Sequence, residues 1–287
     1  MDAPHPDIPE LASIATLAAQ SDVWFVDIWG VLHNGVRPYA CAVEACRKFR
    51  DGGGAVILVS NSPRPCDGVV KQLNDVGVAA AAYDGVVTSG DVTRNLIAGW
   101  SGRSVYHIGP ERDLPLFEGS GVVLSAPDAA EAIVCTGLFD DETETPADYE
   151  DMLALVNAFG VPMICANPDI TVERGGRIIY CAGALAMSYA AIGGEVLTAG
   201  KPHRPIYDAA MALAAKARGG DVDTSRVLAI GDGVKTDIAG ASAYGLKSVF
   251  VASAVDVRAG EALTDAARRL FAGWTTTPIA AMRALAW

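Results

Sequence analysis

Positive charge is scarce in this sequence. Of 287 residues only 22 are Lys or Arg, against 34 Asp and Glu, a formal net charge of −12. That deficit excludes nucleic acid as a partner, because a phosphate backbone is gripped by clustered Lys and Arg that displace its counterions. It also argues against an anionic membrane surface. Long apolar runs are missing too. No stretch of about 18 uninterrupted apolar residues occurs, and "MDAPHPDIPELASIATLAAQ" has neither the positive flank nor the continuous apolar core of a signal peptide. No membrane partner is expected, and the expected location is the cytoplasm. The six cysteines, at 41, 46, 66, 135, 165 and 181, form no CxxC and no Cys/His group with zinc spacing. They predict reduced, mostly buried thiols rather than a disulfide framework or a zinc site. No internal repeat and no low-complexity segment is present.

What the chain does have is apolar content, 51% of residues, enough for a sizeable core and better divided between two units than held in one. Short apolar runs alternate with segments of helical period, the pattern of a parallel sheet with crossover helices. Candidate core strands are "VWFVD" (23–27), "AVILVS" (55–60), "EVLTAGK" (195–201), "RVLAIGD" (226–232) and "KSVFVA" (247–252), with helices predicted over 39–51 and 203–217. Asn34-Gly35 suits a tight primed turn, so a small hairpin flap is expected after the first strand. More than a hundred residues separate Ser60 from Lys201, too many for one crossover. They contain strand-like runs of their own at 104–109, 132–137 and 162–167 and a helical segment at 146–160. The predicted organisation is an α/β Rossmann-like parallel-sheet core over 1–85 and 183–287, with an α/β domain inserted over 86–182.

Four of the predicted core strands end on a polar residue: Asp27, Ser60, Lys201 and Asp232. Singly, each has a plain explanation as a turn former or helix cap. Together they matter more, because ligands of open parallel sheets bind beyond the carboxyl ends of the strands, where residues distant in sequence converge. A carboxylate such as Asp27 can attack phosphorus. The Ser60 hydroxyl and backbone N–H groups near Asn61 can hold phosphoryl oxygens, and Lys201 can bridge nucleophile and phosphate. Asp232 and Asp237 flank one Gly-rich loop, "GDGVKTD", and can hold a cation. In an acidic protein that binds a phosphorylated ligand, Mg²⁺ is the usual agent of local charge reversal.

These segments resemble the haloacid dehalogenase (HAD) superfamily, and within it the class IIA phosphatases. The likeness is carried, in order, by "VDIWGVL", "ILVSNSPR", "GKP" at 200–202 and "GDGVKTDIAGA", with "TSGDV" after residue 87 and "CANPD" (165–169) as further matches. It implies a HAD-like core with an inserted cap that closes over the site and selects the substrate. It implies Mg²⁺-dependent hydrolysis of a small phosphorylated metabolite through an aspartyl-phosphate on Asp27, and a cap-mediated homodimer. By the same resemblance the metal ligands are Asp27, the main-chain carbonyl of Trp29 and Asp232, with Asp237 orienting metal-bound water. Ser60, Asn61 and Lys201 bind the phosphoryl group, and Asn167 and Asp169 face the substrate or else simply form a turn around Pro168.

One position departs from the family pattern. Two residues after the nucleophile most of these phosphatases carry a second Asp, the general acid and base; here it is Trp29, whose indole N–H only donates. Losing a positioned acid/base typically costs about a hundred- to ten-thousand-fold in rate. The chain is then expected to use leaving groups that need little protonation, to borrow a carrier such as His33 or His203, to transfer the phosphoryl group, or to bind a phosphorylated ligand without turnover. His33 in the flap and His203 near a helix start have plain structural readings as well. A slow or narrow phosphatase comes first and a binding or sensing protein second. Dehalogenase chemistry is poor third, since it would leave Asp232 and Asp237 idle. Trp24 is expected to be core packing, and "DDETE" (140–144) a solvated acidic loop.

Overall fold

The computed structural model describes residues 8–174, 176–252, 257–258 and 260–287; residues 1–7 of the segment weighed as a leader lie outside them. The strands in chain order are β1 (Val23–Val26), β2 (Ala55–Ser60), β3 (Gly85–Thr88), β4 (Ser104–Ile108), β5 (Val123–Leu124), β6 (Ala132–Cys135), β7 (Met163–Cys165), β8 (Thr171–Arg174), β9 (Arg177–Tyr180), β10 (Val196–Thr198), β11 (Val227–Gly231), β12 (Lys247–Val251) and β13 (Ala280–Met282). The helices are α1 (Ala15–Ala18), α2 (Ala40–Asp51), α3 (Cys66–Val76), α4 (Ser89–Ala98), α5 (Glu150–Ala158), α6 (Ala182–Ala191), α7 (Arg204–Arg218), α8 (Ala239–Tyr244) and α9 (Leu263–Leu270). No described helix is long and apolar enough to cross a membrane.

The chain divides into two compact units, one of residues 1–59, 72–87 and 207–287, the other of 60–71 and 88–206. The first contains the α/β Rossmann-like core. Its sheet runs β13-β12-β11-β1-β2-β3, and the pairs β1–β2, β1–β11, β11–β12 and β12–β13 are parallel. Every residue of β1 and β11 is buried, as strands covered on both faces must be, which is why they read as unbroken apolar runs. Helix α2 buries Ala42, Ala45, Cys46 and Phe49, one stripe at helical spacing. Phe49 then stacks on fully buried Trp24 with ring centroids 4.0 Å apart, so Trp24 is the packing residue the sequence suggested.

The second unit is built on a parallel sheet ordered β10-β7-β6-β4-β5, with an antiparallel β8–β9 hairpin. Alternate residues of its strands feed two cores. Ile133, Cys135, Met163 and Cys165 pack against α5 and α6, while Val134, Ile164 and Ala166 pack with Ile97 of α4.

Two expectations are corrected here. The run at 195–201 is not a core strand: β10 pairs with β7 at the edge of the second sheet, Val196 opposite Met163. The second unit accordingly runs on to Ile206, past the expected edge at 182. An apolar run states that a strand exists; which sheet it joins is a long-range choice that periodicity does not encode. Core strands β3 and β13 were not expected at all. Of the six cysteines all are free thiols and four are buried, and burial pushes Cys46 and Cys165 up to about 12.

Candidate active site

Strands β1, β2 and β3 extend to one side of the first sheet, and β11, β12 and β13 to the other. The switch point of the topology is therefore the β1/β11 pair, where the crevice of a doubly wound sheet opens. Asp27 is the next residue after β1, its N–H donating to the Ile230 carbonyl at 2.9 Å, and Asp232 is the next residue after β11. Because the two strands are parallel neighbours, both carboxylates leave the same end of the sheet.

A π-helical turn over Val234–Ile238, closed by Ile238 N–H on the Gly233 carbonyl at 3.1 Å, brings in Asp237. Its Oδ2 accepts from the Gly233 N–H at 3.1 Å and from the Thr236 hydroxyl at 3.3 Å. Oxygen atoms of Asp27, Asp232 and Asp237 all lie within 4.8 Å of one another. Three carboxylates and no thiol or imidazole make a hard oxygen donor set, which fits Mg²⁺ or Ca²⁺ and not a soft metal. Gly30 fits this centre closely: with φ +78°, a Cβ there would fall 1.8 Å from Asp232 Oδ2.

The ring of Trp29 packs on the turn that follows it. The indole edge lies over Gly35, where a Cβ would meet Trp29 Cη2 at 2.5 Å, and the ring packs edge-on against His33 at 5.1 Å. The flap expected after β1 is present as a turn in which Asn34 N–H donates to the Arg37 carbonyl and Gly35 takes positive φ. His33 does not suit proton transfer. It is buried, burial holds its imidazole down at about 4, and Nδ1 accepts from the Gly35 N–H at 2.9 Å. His203 is exposed, with its backbone N–H on the Gly200 carbonyl at 2.9 Å.

In the second unit Ser60, Asn61 and Lys201 are all buried. Asn61 is a clamp: Oδ1 accepts from the Lys201 N–H at 2.7 Å, and Nδ2 donates to the Lys201 carbonyl at 3.2 Å and to Asp169 Oδ1 at 2.8 Å. One side chain thus fixes the backbone of the lysine and a carboxylate expected on the substrate side. Asn167 fixes the same turn, its Oδ1 accepting from the Asp169 N–H at 3.1 Å. Gly200 allows the approach, since a Cβ there would meet Asn61 Oδ1 at 2.5 Å. The "TSGDV" motif has a mechanical role. Thr88 and Asp91 cap α4 reciprocally, Asp91 Oδ1 takes the Cys66 N–H at 3.0 Å, and Gly90 N–H donates to the Ser62 carbonyl at 3.0 Å, tying down the loop that carries Ser60 and Asn61.

The acidic run at 140–144 is not merely solvated. Asp141 accepts from Arg174 at 3.0 Å and from Arg112, and Glu144 accepts from the Tyr149 hydroxyl at 2.5 Å. A single charge run in sequence does not show arginines that reach it from 29 and 33 residues away, so this cluster was missed.

The sequence profile described as haloacid dehalogenase-like hydrolase matches residues 24–123, and one described as HAD-hydrolase-like matches 198–271. A crystal structure of a hydrolase of the haloacid dehalogenase-like family from Brucella suis 1330 is 48% identical over 97% of this chain and 100% of that one, with a TM-score of 0.87. The D-glycerol 3-phosphate phosphatase of Mycobacterium tuberculosis is 28% identical over 84% of this chain. That match spans 65% of the phosphatase's own length. A glycerol phosphate phosphatase from M. tuberculosis in complex with magnesium is 27% identical over 82% of this chain and 68% of that one, TM-score 0.64.

Proposed function

We propose that this chain, which belongs to the haloacid dehalogenase-like hydrolases, is a Mg²⁺-dependent phosphatase of a small phosphorylated metabolite. The observation that carries this reading is the meeting of Asp27, Asp232 and Asp237 within 4.8 Å at the switch point of the first sheet. The similarity to a phosphatase solved with magnesium supports it.

In this reading Asp27, Asp232 and the main-chain carbonyl of Trp29 would hold the metal, and Asp237 would orient metal-bound water. The bound ion supplies charge neutralisation between the nucleophile and the phosphate. An Asp27 oxygen attacks phosphorus, the bond to the ester oxygen breaks, and the aspartyl-phosphate is then hydrolysed by water to regenerate the carboxylate. Ser60, the Asn61 backbone and Lys201 bind the phosphoryl oxygens, with the Asn61 side chain keeping Lys201 in place. Asn167 and Asp169 serve the substrate side. Neither Trp29 nor His33 serves as proton carrier: the indole only donates a hydrogen bond, and His33 is buried and held down at about 4 with Nδ1 already accepting. The reaction therefore favours esters whose leaving oxygen departs without a proton. A homodimer belongs to the same reading, and Ile178 and Met187 of the second unit are left exposed as large apolar side chains.

Residue 29 also favours a second reading, a protein that binds and senses a phosphorylated ligand without turnover. Phosphate release from a panel of phosphomonoesters with Mg²⁺, set beside thermal shifts with the same compounds, separates the two. Turnover that disappears in Asp27→Asn supports the phosphatase. Thermal shifts without turnover, identical in parent and Asp27→Asn, refute it.

A further inference from the structure

Asp91 stands where two helices of the second unit begin. It is the third residue of α4, and its Oδ2 accepts from the Thr88 N–H at 3.2 Å and from the Thr88 hydroxyl at 2.9 Å. Its Oδ1 accepts from the N–H of Cys66, the first residue of α3, at 3.0 Å. A carboxylate at two helix N-termini satisfies donors that neither helix can pair internally, and it suits the positive end of both dipoles. It also ties α3 to α4.

Between Ser60 and α3 runs the loop of residues 61–65, in which Pro63 and Pro65 have no N–H to give. The N–H groups of Ser62 and Arg64 are spent on serine hydroxyls: Ser62 N–H donates to Ser60 Oγ at 3.1 Å, and Arg64 N–H donates to Ser62 Oγ at 3.2 Å. The Ser62 carbonyl is held from α4, since it accepts from the Gly90 N–H at 3.0 Å. The approach is tight. A Cβ at Gly90 would meet the Pro63 carbonyl oxygen at 2.2 Å.

These contacts decide how the Ser60 hydroxyl can act. A serine oxygen carries one proton and two lone pairs. At Ser60, 2% exposed, one lone pair takes the Ser62 N–H, and among the described residues nothing accepts the hydroxyl proton. The group is set as a donor, the form in which it can bind a phosphoryl oxygen. It stays set while Ser62 is held, and Ser62 lies between the Gly90 contact and the start of α3, where Cys66 is bonded to Asp91.

We propose that Asp91 is a positioning residue for phosphoryl binding: by fixing the start of α3 against α4 it keeps the Ser62 N–H on Ser60 Oγ, and with it the Ser60 hydroxyl proton free for the phosphoryl group. The proposal rests on the phosphatase reading above and adds to it a residue that acts through Ser60 rather than on the substrate. A matched control lies in the same unit. Asp148 caps the turn Pro146–Tyr149 with Thr145 as Asp91 caps α4 with Thr88, its Oδ2 accepting from the Thr145 N–H at 2.8 Å and from the Thr145 hydroxyl at 2.9 Å, on a segment apart from the loop of Ser60.

The test uses the full chain with Mg²⁺, p-nitrophenyl phosphate as substrate and inorganic phosphate as inhibitor. Asp91→Ala and Asp148→Ala each lose a cap, and both are expected to melt below the parent. Only Asp91→Ala is expected to raise KM and the phosphate inhibition constant, each by about tenfold, the worth of one hydrogen bond to a charged group. Its kcat changes by less than about threefold, because that bond is made in ground and transition states alike. Asp91→Asn, which keeps an oxygen for the Cys66 N–H, falls between. The Mg²⁺-induced thermal shift stays at the parent value, since Asp27, Asp232 and Asp237 belong to the first unit. Equal constants in Asp91→Ala and Asp148→Ala, or a loss of the Mg²⁺ shift alongside the rise in KM, overturns the positioning role. If Asp91→Ala does not fold, Asp91→Asn decides: constants above the parent support the role and parent values refute it. If the parent turns over no ester, the phosphatase reading fails by itself. Thermal shifts with inorganic phosphate then decide: a shift weakened in Asp91→Ala and kept in Asp148→Ala supports the role, and equal or absent shifts refute it.

Discussion

Replacing Gly30 by alanine separates the cost of backbone strain from the loss of a metal site. Gly30 has φ +78°, and an added Cβ would lie 1.8 Å from Asp232 Oδ2 and 2.6 Å from its Cγ. The backbone term alone is about 1–2 kcal/mol for an L-residue in the left-handed region. Contact at 1.8 Å cannot be absorbed, so the Asp232 carboxylate has to swing away and the three-carboxylate group loses a member. Gly245 is the control: φ is +88° and nothing lies within 4 Å of its Cβ position, so Gly245→Ala meets the strain and leaves the carboxylates untouched. In metal-free buffer both variants are expected to melt below the parent, by about 2–4 °C per kcal/mol for a chain of this size. With Mg²⁺ at about a hundred times its dissociation constant the parent and Gly245→Ala gain about 2.7 kcal/mol. Gly30→Ala gains little. Differential scanning calorimetry with and without Mg²⁺ reads both quantities. An equal Mg²⁺-induced shift in Gly30→Ala and Gly245→Ala would refute the assignment of Asp232 to a metal centre.

Further outcomes follow from the same geometry. If neither Trp29 nor His33 protonates the leaving oxygen, kcat for p-nitrophenyl phosphate should exceed that for ethyl phosphate by about a hundredfold or more, the usual worth of a general acid; comparable values would mean that another group supplies the proton. Asn61→Ala removes one acceptor and two donations that hold Lys201 and Asp169, and is expected to cost about 1–3 kcal/mol of stability together with a large fall in turnover, measured by urea denaturation and phosphate release. Trp24→Ala deletes a fully buried indole stacked on Phe49 and should cost about 3–5 kcal/mol in the same denaturation assay. His107 is held down at about 4 by burial, below its unfolded value, so the unfolded chain takes up the proton first. The stability it contributes is complete above about pH 6.5 and is lost as pH falls toward 4. A His107→Gln variant should show a flatter acid limb in a plot of stability against pH.

Much of the core was legible because buried parallel strands leave a local record. Val23–Val26 and Val227–Gly231 carry no polar side chain since both faces are covered, and the acid that follows each one marks the exit from the sheet. Asp27 and Asp232 could be paired from sequence once the strands were taken as parallel neighbours. The departure at Trp29 was equally visible, because it is a matter of residue type at a fixed spacing. Tertiary structure alone decided the rest. That β10 joins β7 rather than the core, that Asn61 clamps the backbone on either side of Lys201, and that the indole of Trp29 lies over Gly35 are contacts between residues whose local patterns carry no mark of their partners. The Asp141 contacts show this most clearly: Arg112 and Arg174 reach that carboxylate from 29 and 33 residues away, and only the fold brings them to it.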